Sequence, residues 1–596
     1  MMLQTINDLF FKIVDRGAER VMLSKQSGEW NPISSQEIYR SVVGIAITLS
    51  KWGMKKGDRI AILSENRPEW TFAEFATALL GAIVVPIYPT QTPEQVSFML
   101  RDSGARVVFL STLDQFKKFR SIKEQTAVEK SIVMDYVGVT EAVPMSRIMQ
   151  EGPPSRDAEF DARARAIIQA DDIETIIYTS GTTGTPKGAM LTHGNLTSNF
   201  QCSLQGSEIG PADTYISFLP LSHITARHVD FVMLHHAVVV AYCPVIDNLP
   251  RTLLEIRPTI FVGVPRVYEK MKAQVQKKAA TGVKQAIYKW GTKVGRAHRK
   301  EILADRQPTD WDWQLANKLL YSKFREGIGG RVKLFISGGA PLGRELAEWY
   351  ADMGVRIDEG YGLTETSPVI AVNTPKTHKL GTVGVPLSNL EVRIAPDGEV
   401  LVKGPSIFKG YWNLPDETRN SFEDGWFKTG DIGNIDSDGF LSITDRKKDL
   451  IKTSGGKFIA PQPIESTLKS NPMIGEAALL GDRRKFPAVV IVPNFVALEE
   501  WARARNIAFD NREELVSRAE VRAVYDRIVA EVNTGLAQFE KLKKVLLIAD
   551  EFTVANGFLT PTMKLRRQVI EERYRPQIEQ LYTESAPQEE PAKTTS

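Results

Sequence analysis

The chain has 596 residues, 42% of them hydrophobic and 25% charged, so it carries enough apolar side chains for several buried cores, about four domains at the usual domain length. Lysine plus arginine number 75 against 72 aspartates and glutamates, a net charge of +3 that excludes a dedicated nucleic-acid binder. Two cysteines, Cys202 and Cys243, make neither a disulfide framework nor a metal cluster, which fits a reducing, cytoplasmic setting.

At the start, Met1 to Gly17 mixes acids and bases and has no long apolar core of the signal-peptide kind. Arg59-Ile60-Ala61-Ile62-Leu63 then reads as a strand, Ala73 to Gly81 as a helix, and Ile83 to Ile87 and Val107 to Leu110 as further strands. The apolar stretches Ala78 to Pro86 and Phe231 to Pro244 are too short or too polar to span a bilayer. Strand and helix alternate over hundreds of residues, which predicts an α/β fold of mostly parallel sheets covered by helices.

The strand Ile176-Ile177-Tyr178 leads into Thr179-Ser180-Gly181-Thr182-Thr183-Gly184-Thr185-Pro186-Lys187-Gly188. Pro186 keeps this segment out of regular structure, and Gly181 and Gly184 present no Cβ to an approaching anion. Backbone N–H groups, hydroxyls and Lys187 can therefore surround a phosphate. It is not a Walker A loop, because Lys187 is followed by Gly188 rather than Ser or Thr.

Beyond the strand Thr259 to Val264, the segment Val283, Ile287, Trp290, Val294 and Ala297 recurs at spacings of four and three, one helical stripe. Lys284, Lys289, Lys293, Arg296, Arg299 and Lys300 lie off that stripe, and Glu269 is the only acid from Arg266 to Lys300. Such a basic amphipathic helix suits the surface of an anionic membrane, or packs on its own domain with a solvated basic face.

The strand Val332 to Ile336 delivers Ser337-Gly338-Gly339-Ala340-Pro341-Leu342 to a strand's C-terminal end, where α/β sheets bind ligands. Asp358-Glu359-Gly360-Tyr361-Gly362-Leu363-Thr364-Glu365-Thr366 supplies an aromatic ring, hydroxyls and carboxylates between glycines. From about Gly384 the texture becomes β, with turns at Pro396-Asp397-Gly398 and Asp438-Gly439. Asp424-Gly425-Trp426-Phe427-Lys428-Thr429-Gly430-Asp431 offers an aspartate able to accept both hydroxyls of a ribose. The polar run Asp445-Arg446-Lys447-Lys448-Asp449 marks a boundary, and an α+β region extends to about Tyr582. The tail Glu584 to Ser596 is rich in Pro, Glu, Ser, Thr and Lys and is expected to be disordered.

In this order, Tyr178–Gly188, Ser337–Pro341, Tyr361–Glu365, Thr429–Asp431, Asp445–Lys448 and Pro561–Lys564 resemble the adenylate-forming superfamily of acyl-CoA synthetases, nonribosomal adenylation domains and firefly-type luciferases. The resemblance runs from about Ile33 to about Arg573. It implies a large N-terminal domain (1–446) of two α/β subdomains and a distorted β-barrel, a small mobile C-terminal domain (447–583), and the tail 584–596. The implied reaction is carboxylate plus ATP giving acyl-adenylate and diphosphate, followed by acyl transfer to a thiol.

By the same resemblance, Thr179, Ser180, Gly181, Thr182, Thr183, Gly184 and Lys187 hold the phosphates, and Glu365 with Thr179 ligates Mg²⁺. Tyr361 stacks on adenine within a pocket made by Gly338, Gly339, Ala340, Glu359, Gly360 and Gly362. Thr364 contacts the α-phosphate, while Asp431 and Arg446 fix the ribose. Lys564 bridges substrate carboxylate and α-phosphate, Lys448 is the hinge, and Ser454 and Gly455 flank the arm of coenzyme A.

Ser217 to His223, Phe261 to Tyr268, the insertion from about Glu269 to Gly330, and Leu559 to Thr562 resemble the long-chain fatty acyl-CoA synthetase branch. His223 is a candidate to orient substrate or line the tunnel entry. At Ile224-Thr225-Ala226-Arg227 the chain departs from the branch, where an acid commonly precedes the arginine. The expected enzyme is thus a long-chain fatty acid–CoA ligase using ATP, Mg²⁺ and coenzyme A, with a candidate peripheral contact at the membrane's inner face, no nucleic-acid partner and an open oligomeric state. Two competitors are a ligase loading a carrier protein and a non-catalytic lipid-binding scaffold; the full motif set argues against both.

Overall fold

A computed structural model describes residues 2–136, 138, 140–179, 186–454, 457–553, 556–559 and 565–583. The chain divides into two compact units: Met1–Thr429 with Asn434–Ser442, and Gly430–Gly433 with Ile443–Ser596.

The first unit is built on two large sheets. In one, the strands Arg59–Leu63, Ile83–Ile87, Val107–Leu110 and Lys130–Val133 run parallel, the first three near-continuous apolar stretches buried on both faces. That is the pattern a helix-covered parallel sheet demands. Ile173–Thr179 joins parallel to Ile83–Ile87, and the sheet then turns antiparallel through Lys187–Thr192 and Gly410–Tyr411. Thr179 pairs with Lys187, so these two residues face each other at the loop end of a hairpin. The predicted phosphate-loop residues 180–185, which join the two strands, lie outside the described residues.

The second sheet has nine strands. Val239–Tyr242, Thr214–Ser217, Ile260–Gly263, Leu334–Ser337 and Ile357–Gly362 are neighbours in that order, all parallel. Val369–Val372 then folds back antiparallel on Ile357–Gly362. That return fixes Gly362, where a Cβ would fall 1.8 Å from the Pro368 carbonyl oxygen, so only glycine fits.

The helices Pro68–Leu79 and Ile224–His235 lie between the two sheets. Thr71 bonds Tyr242 of the nine-stranded sheet at 2.8 Å, and Arg227 bonds Thr175 of the first sheet at 2.9 Å. A smaller antiparallel sheet, Glu391–Ile394, Glu399–Lys403, Trp426–Ile435, Phe422–Glu423 and Leu441–Arg446, follows where the sequence turns β-rich.

The other unit carries its own sheet, Ile474–Leu480, Ala488–Pro493 and Lys544–Leu547, covered by Pro461–Lys469, Phe495–Arg503 and Ala519–Asn533. Its core, including Leu479, Ile491, Leu498, Tyr525 and Ile570, is separate from that of the first unit. Mixed α/β architecture with one large and one small unit is the predicted fold class. Among the described residues no helix is long and apolar enough to cross a membrane.

The insertion forms a long helix, Gly282–Leu303, whose inward face keeps the middle of the predicted stripe, with Val294 buried and Ile287 and Trp290 half-buried, and departs from it at the two ends. Gly291, Val294, Gly295 and Ile302 are buried, whereas Val283 is 76% exposed and Ala297 is exposed as well. The reason is close backbone approach: a Cβ on Gly295 would lie 1.8 Å from the Asp352 carbonyl oxygen. Arg299 reaches both Asp352 and Glu348 at 2.7–2.8 Å, so part of the basic face is committed to the helix Arg344–Asp352.

Candidate active site

At the C-terminal edge of the nine-stranded sheet lies a partly open, mostly apolar cavity. Three sets of predicted residues meet there. Ser337, Gly338 and Gly339 leave the strand Leu334–Ser337, Gly360 to Gly362 end the strand Ile357–Gly362, and Val262 and Gly263 end Ile260–Gly263. The opposite wall is the helix Ile224–His235, through Thr225, His228, Val229, Val232 and Met233. The lining is mostly aliphatic, and the Tyr361 ring borders it. The fold brings Gly338, Gly339, Gly360, Tyr361 and Gly362 into one wall although they come from separate motifs. Ala340 follows directly on Gly339, while Glu359 lies within the strand ending in Gly362, where burial pushes its carboxyl up to about 7.

Thr364, Glu365 and Thr366 form one 3-10 turn beside that wall. The turn is tied down from several sides. The Thr366 hydroxyl receives the Leu363 N–H at 3.0 Å, and the Asn199 amide donates to the Val369 carbonyl at 2.8 Å. Glu365 is gripped twice: its carbonyl accepts from the Phe408 N–H at 2.8 Å, and its carboxylate Oε1 accepts from the Tyr411 hydroxyl at 2.8 Å. Lys187 forms an ion pair with Glu417, and its ammonium lies 5.5 Å from the Tyr411 ring centroid. Tyr411 and Glu417 lie outside the motifs of the sequence. The contact Lys187–Glu417 spans 230 residues, and nothing local in the chain announces it.

His223 is partly buried and caps the helix that follows it, its Nδ1 accepting the Thr225 N–H at 3.1 Å. The histidine on the cavity wall is instead His228, whose Nε2 lies 2.9 Å from the Ser203 hydroxyl. Burial drives its imidazole down to about 3, so it is neutral.

The departure at Ala226 has a structural answer. Arg227 is fully buried; Nε donates to Glu74 at 2.7 Å, Nη2 to Glu174 at 2.9 Å and Nη1 to Thr175 at 2.9 Å. Trp70 and Phe231 flank the guanidinium at 5.5 and 5.9 Å. The acids that neutralise it come from another helix and from the other sheet. Burial pushes both carboxyls upward, Glu74 to about 8. Within one turn, Asp230 accepts from Ser217 at 3.0 Å and is likewise pushed by burial to about 8.

The remaining predicted residues belong to the second unit. Asp431 and Arg446 form an ion pair, Oδ1 to Nε, at 2.9 Å. Lys448 sits in a turn where the Asp449 and Leu450 N–H groups donate to the Arg446 carbonyl at 3.0 and 3.1 Å. Ser454 is exposed, and its N–H donates to the Arg484 carbonyl at 2.8 Å. Gly455 and Lys564 lie outside the described residues.

Comparison with known proteins bears on this arrangement. Residues 10–412 match the family model of the AMP-binding enzymes, and residues 448–586 match that of the AMP-binding enzyme C-terminal domain. The chain is 35% identical to the long-chain-fatty-acid–CoA ligase FadD15 of Mycobacterium bovis, over 93% of each chain. It is 30% identical to the long-chain-fatty-acid–CoA ligase ACSBG1 of Homo sapiens, over 97% of this chain and 85% of that protein. Among solved structures, the anthranilate CoA ligase AuaEII in complex with anthranoyl-AMP superposes with a TM-score of 0.72 at 19% identity, covering 96% and 97% of the two chains.

Proposed function

This chain belongs to the AMP-binding enzyme family, and from that premise we propose that it is an AMP-forming long-chain fatty acid–CoA ligase. It joins a fatty acid to coenzyme A at the expense of ATP, releasing AMP and diphosphate by way of an acyl-adenylate. The observation that carries the substrate reading is the aliphatic cavity, which begins at Gly338, Gly339 and Tyr361 and runs along the helix Ile224–His235. An acyl chain in that cavity has its carboxylate end beside the segments that hold nucleotide in this family. Burying apolar chain against Val229, Val232 and Met233 contributes about 0.8 kcal/mol per methylene.

The chemistry joins two anions, a carboxylate and an α-phosphate, so charge neutralisation and alignment supply most of the acceleration. Lys187 and the loop 180–185 neutralise the β- and γ-phosphates, Thr364 the α-phosphate, and Lys564 bridges the reacting groups. Tyr361 stacks on adenine, and Asp431 with Arg446 holds the ribose. His223, which caps the helix Ile224–His235, orients substrate or lines the tunnel entry. Lys448 is the hinge on which residues 447–583 turn, bringing Ser454 and Gly455 to coenzyme A. The Glu365 carboxylate and Thr179 hydroxyl are hard oxygen donors of the kind Mg²⁺ takes, and the ion would screen the triphosphate's charge. A peripheral membrane contact through the insertion, where Val283 and Trp311 are 76% and 78% exposed, gives access to insoluble substrate.

The test is a half-reaction comparison. Lys564→Ala is expected to slow acyl-adenylate formation from palmitate by about 10²–10³-fold while sparing thioester formation from preformed palmitoyl-adenylate. Equal loss in both steps removes the assignment of Lys564. Absence of coenzyme-A-dependent thioester across a C8–C20 series removes the functional reading.

A further inference from the structure

Tyr411 does more at this site than complete an aromatic cluster. Its hydroxyl donates to Glu365 Oε1 across 46 residues of sequence. The residue is itself immobilised: its N–H donates to the Thr418 hydroxyl at 2.8 Å, and its ring packs edge-on to Phe408 at 4.8 Å. Phe408 in turn donates its N–H to the Glu365 carbonyl. The segment 408–411 thus holds Glu365 by backbone and carboxylate together.

The phenol donates to Oε1 at 2.8 Å, a full-strength hydrogen bond from a hydroxyl that the surrounding contacts hold in place. A carboxylate held at one oxygen by such a donor keeps its charge and offers its other oxygen in a single orientation. Without the donor, Glu365 would sample several rotamers and lose that freedom again each time a cation bound. Partners of this kind behind a metal-ligating side chain are typically worth 10–100-fold in metal affinity.

We propose that Tyr411 is a positioning residue: it pre-orients Glu365 for the divalent cation that accompanies ATP, and so sets the metal-dependent part of nucleotide affinity. This rests on the reading of Glu365 as the cation's ligand. Tyr411 is not a catalytic residue, because it acts only through Glu365.

Tyr411→Phe deletes one oxygen and keeps the ring that packs on Phe408 and faces Lys187. The measurement is binding of ATP with Mn²⁺, read by electron paramagnetic resonance of the bound ion, beside binding of ATP in EDTA. Affinity for Mn²⁺·ATP is expected to fall about tenfold or more in Tyr411→Phe, with metal-free ATP affinity unchanged. Two results overturn the proposal: wild-type affinity for Mn²⁺·ATP, or an equal fall with and without metal. Glu365→Gln separates the premise from the inference. If its metal-dependent gain in ATP affinity matches wild type, Glu365 is not the ligand and both readings fall. If that gain is lost in Glu365→Gln and retained in Tyr411→Phe, only the role of Tyr411 falls.

Discussion

Asp230 shows how a single buried side chain writes itself into the pH dependence of the whole protein. Its carboxyl is enclosed beside Ser217 and Tyr242, and burial raises it from 3.8 to about 8. The native chain therefore binds a proton that the unfolded chain releases between roughly pH 4 and pH 8. By linkage, Asp230's contribution to stability is fully present below pH 4 and is lost as pH rises toward 8. Asp230→Asn keeps the acceptor for Ser217 and removes the titration. Its Tm should gain on the wild type progressively from pH 5 to pH 8 and level off above; parallel Tm curves for the two proteins would contradict this assignment.

Residue types at the site were readable from the chain, whereas their partners were not. Local order supplies the strand end that presents Gly338, or the glycines around Tyr361. It cannot announce that Arg227 lies between Glu74, 153 residues before it, and Glu174, or that Glu365 meets Tyr411. Such pairings exist only once two sheets close on one helix.

At the scale of elements, strands were the most legible. Arg59–Leu63, Ile83–Ile87 and Val107–Leu110 coincide with their apolar runs, because a strand buried on both faces has no polar position to blur its ends. The long helix was legible in existence and at the middle of its stripe, where Ile287, Trp290 and Val294 turn inward, but not at the ends, where Val283 and Ala297 are exposed. A reading that counts large apolar side chains overlooks Gly291 and Gly295, through which Gly282–Leu303 makes its closest packing. The consequence is that exposed Val283, Lys284, Lys289 and Lys293 remain available at the other end, while Arg296 and Arg299 approach Asp352. Triple reversal of Lys284, Lys289 and Lys293 to Glu should weaken sedimentation with anionic phosphatidylglycerol vesicles at low salt by about 3 kcal/mol in total, roughly 1 kcal/mol per lysine. Unchanged sedimentation would leave the helix a solvated face only.

For the whole molecule, the two units have separate cores, and the chain passes between them at 429/430, 433/434 and 442/443. The proposed rotation requires backbone freedom near Lys448. Lys448→Pro fixes φ there and biases the preceding residue as well. We expect it to reduce thioester formation from preformed acyl-adenylate at least tenfold more than adenylate formation. Similar losses in the two steps would argue that no turn at Lys448 separates them. The polar run at Asp445–Asp449 was visible in the sequence; the brief excursion of Gly430–Gly433 into the smaller unit was not, since four residues inside one continuous strand carry no compositional mark.

That excursion limits how this protein can be recombined. Ile432 accepts from Thr444 at 3.1 Å, so the ladder between Trp426–Ile435 and Leu441–Arg446 has both its rails inside one short stretch. A chimera spliced anywhere from 430 to 446 would mate one parent's rail with the other's. Donor segments for the smaller unit should begin ahead of Trp426, or leave everything through Arg446 to the recipient.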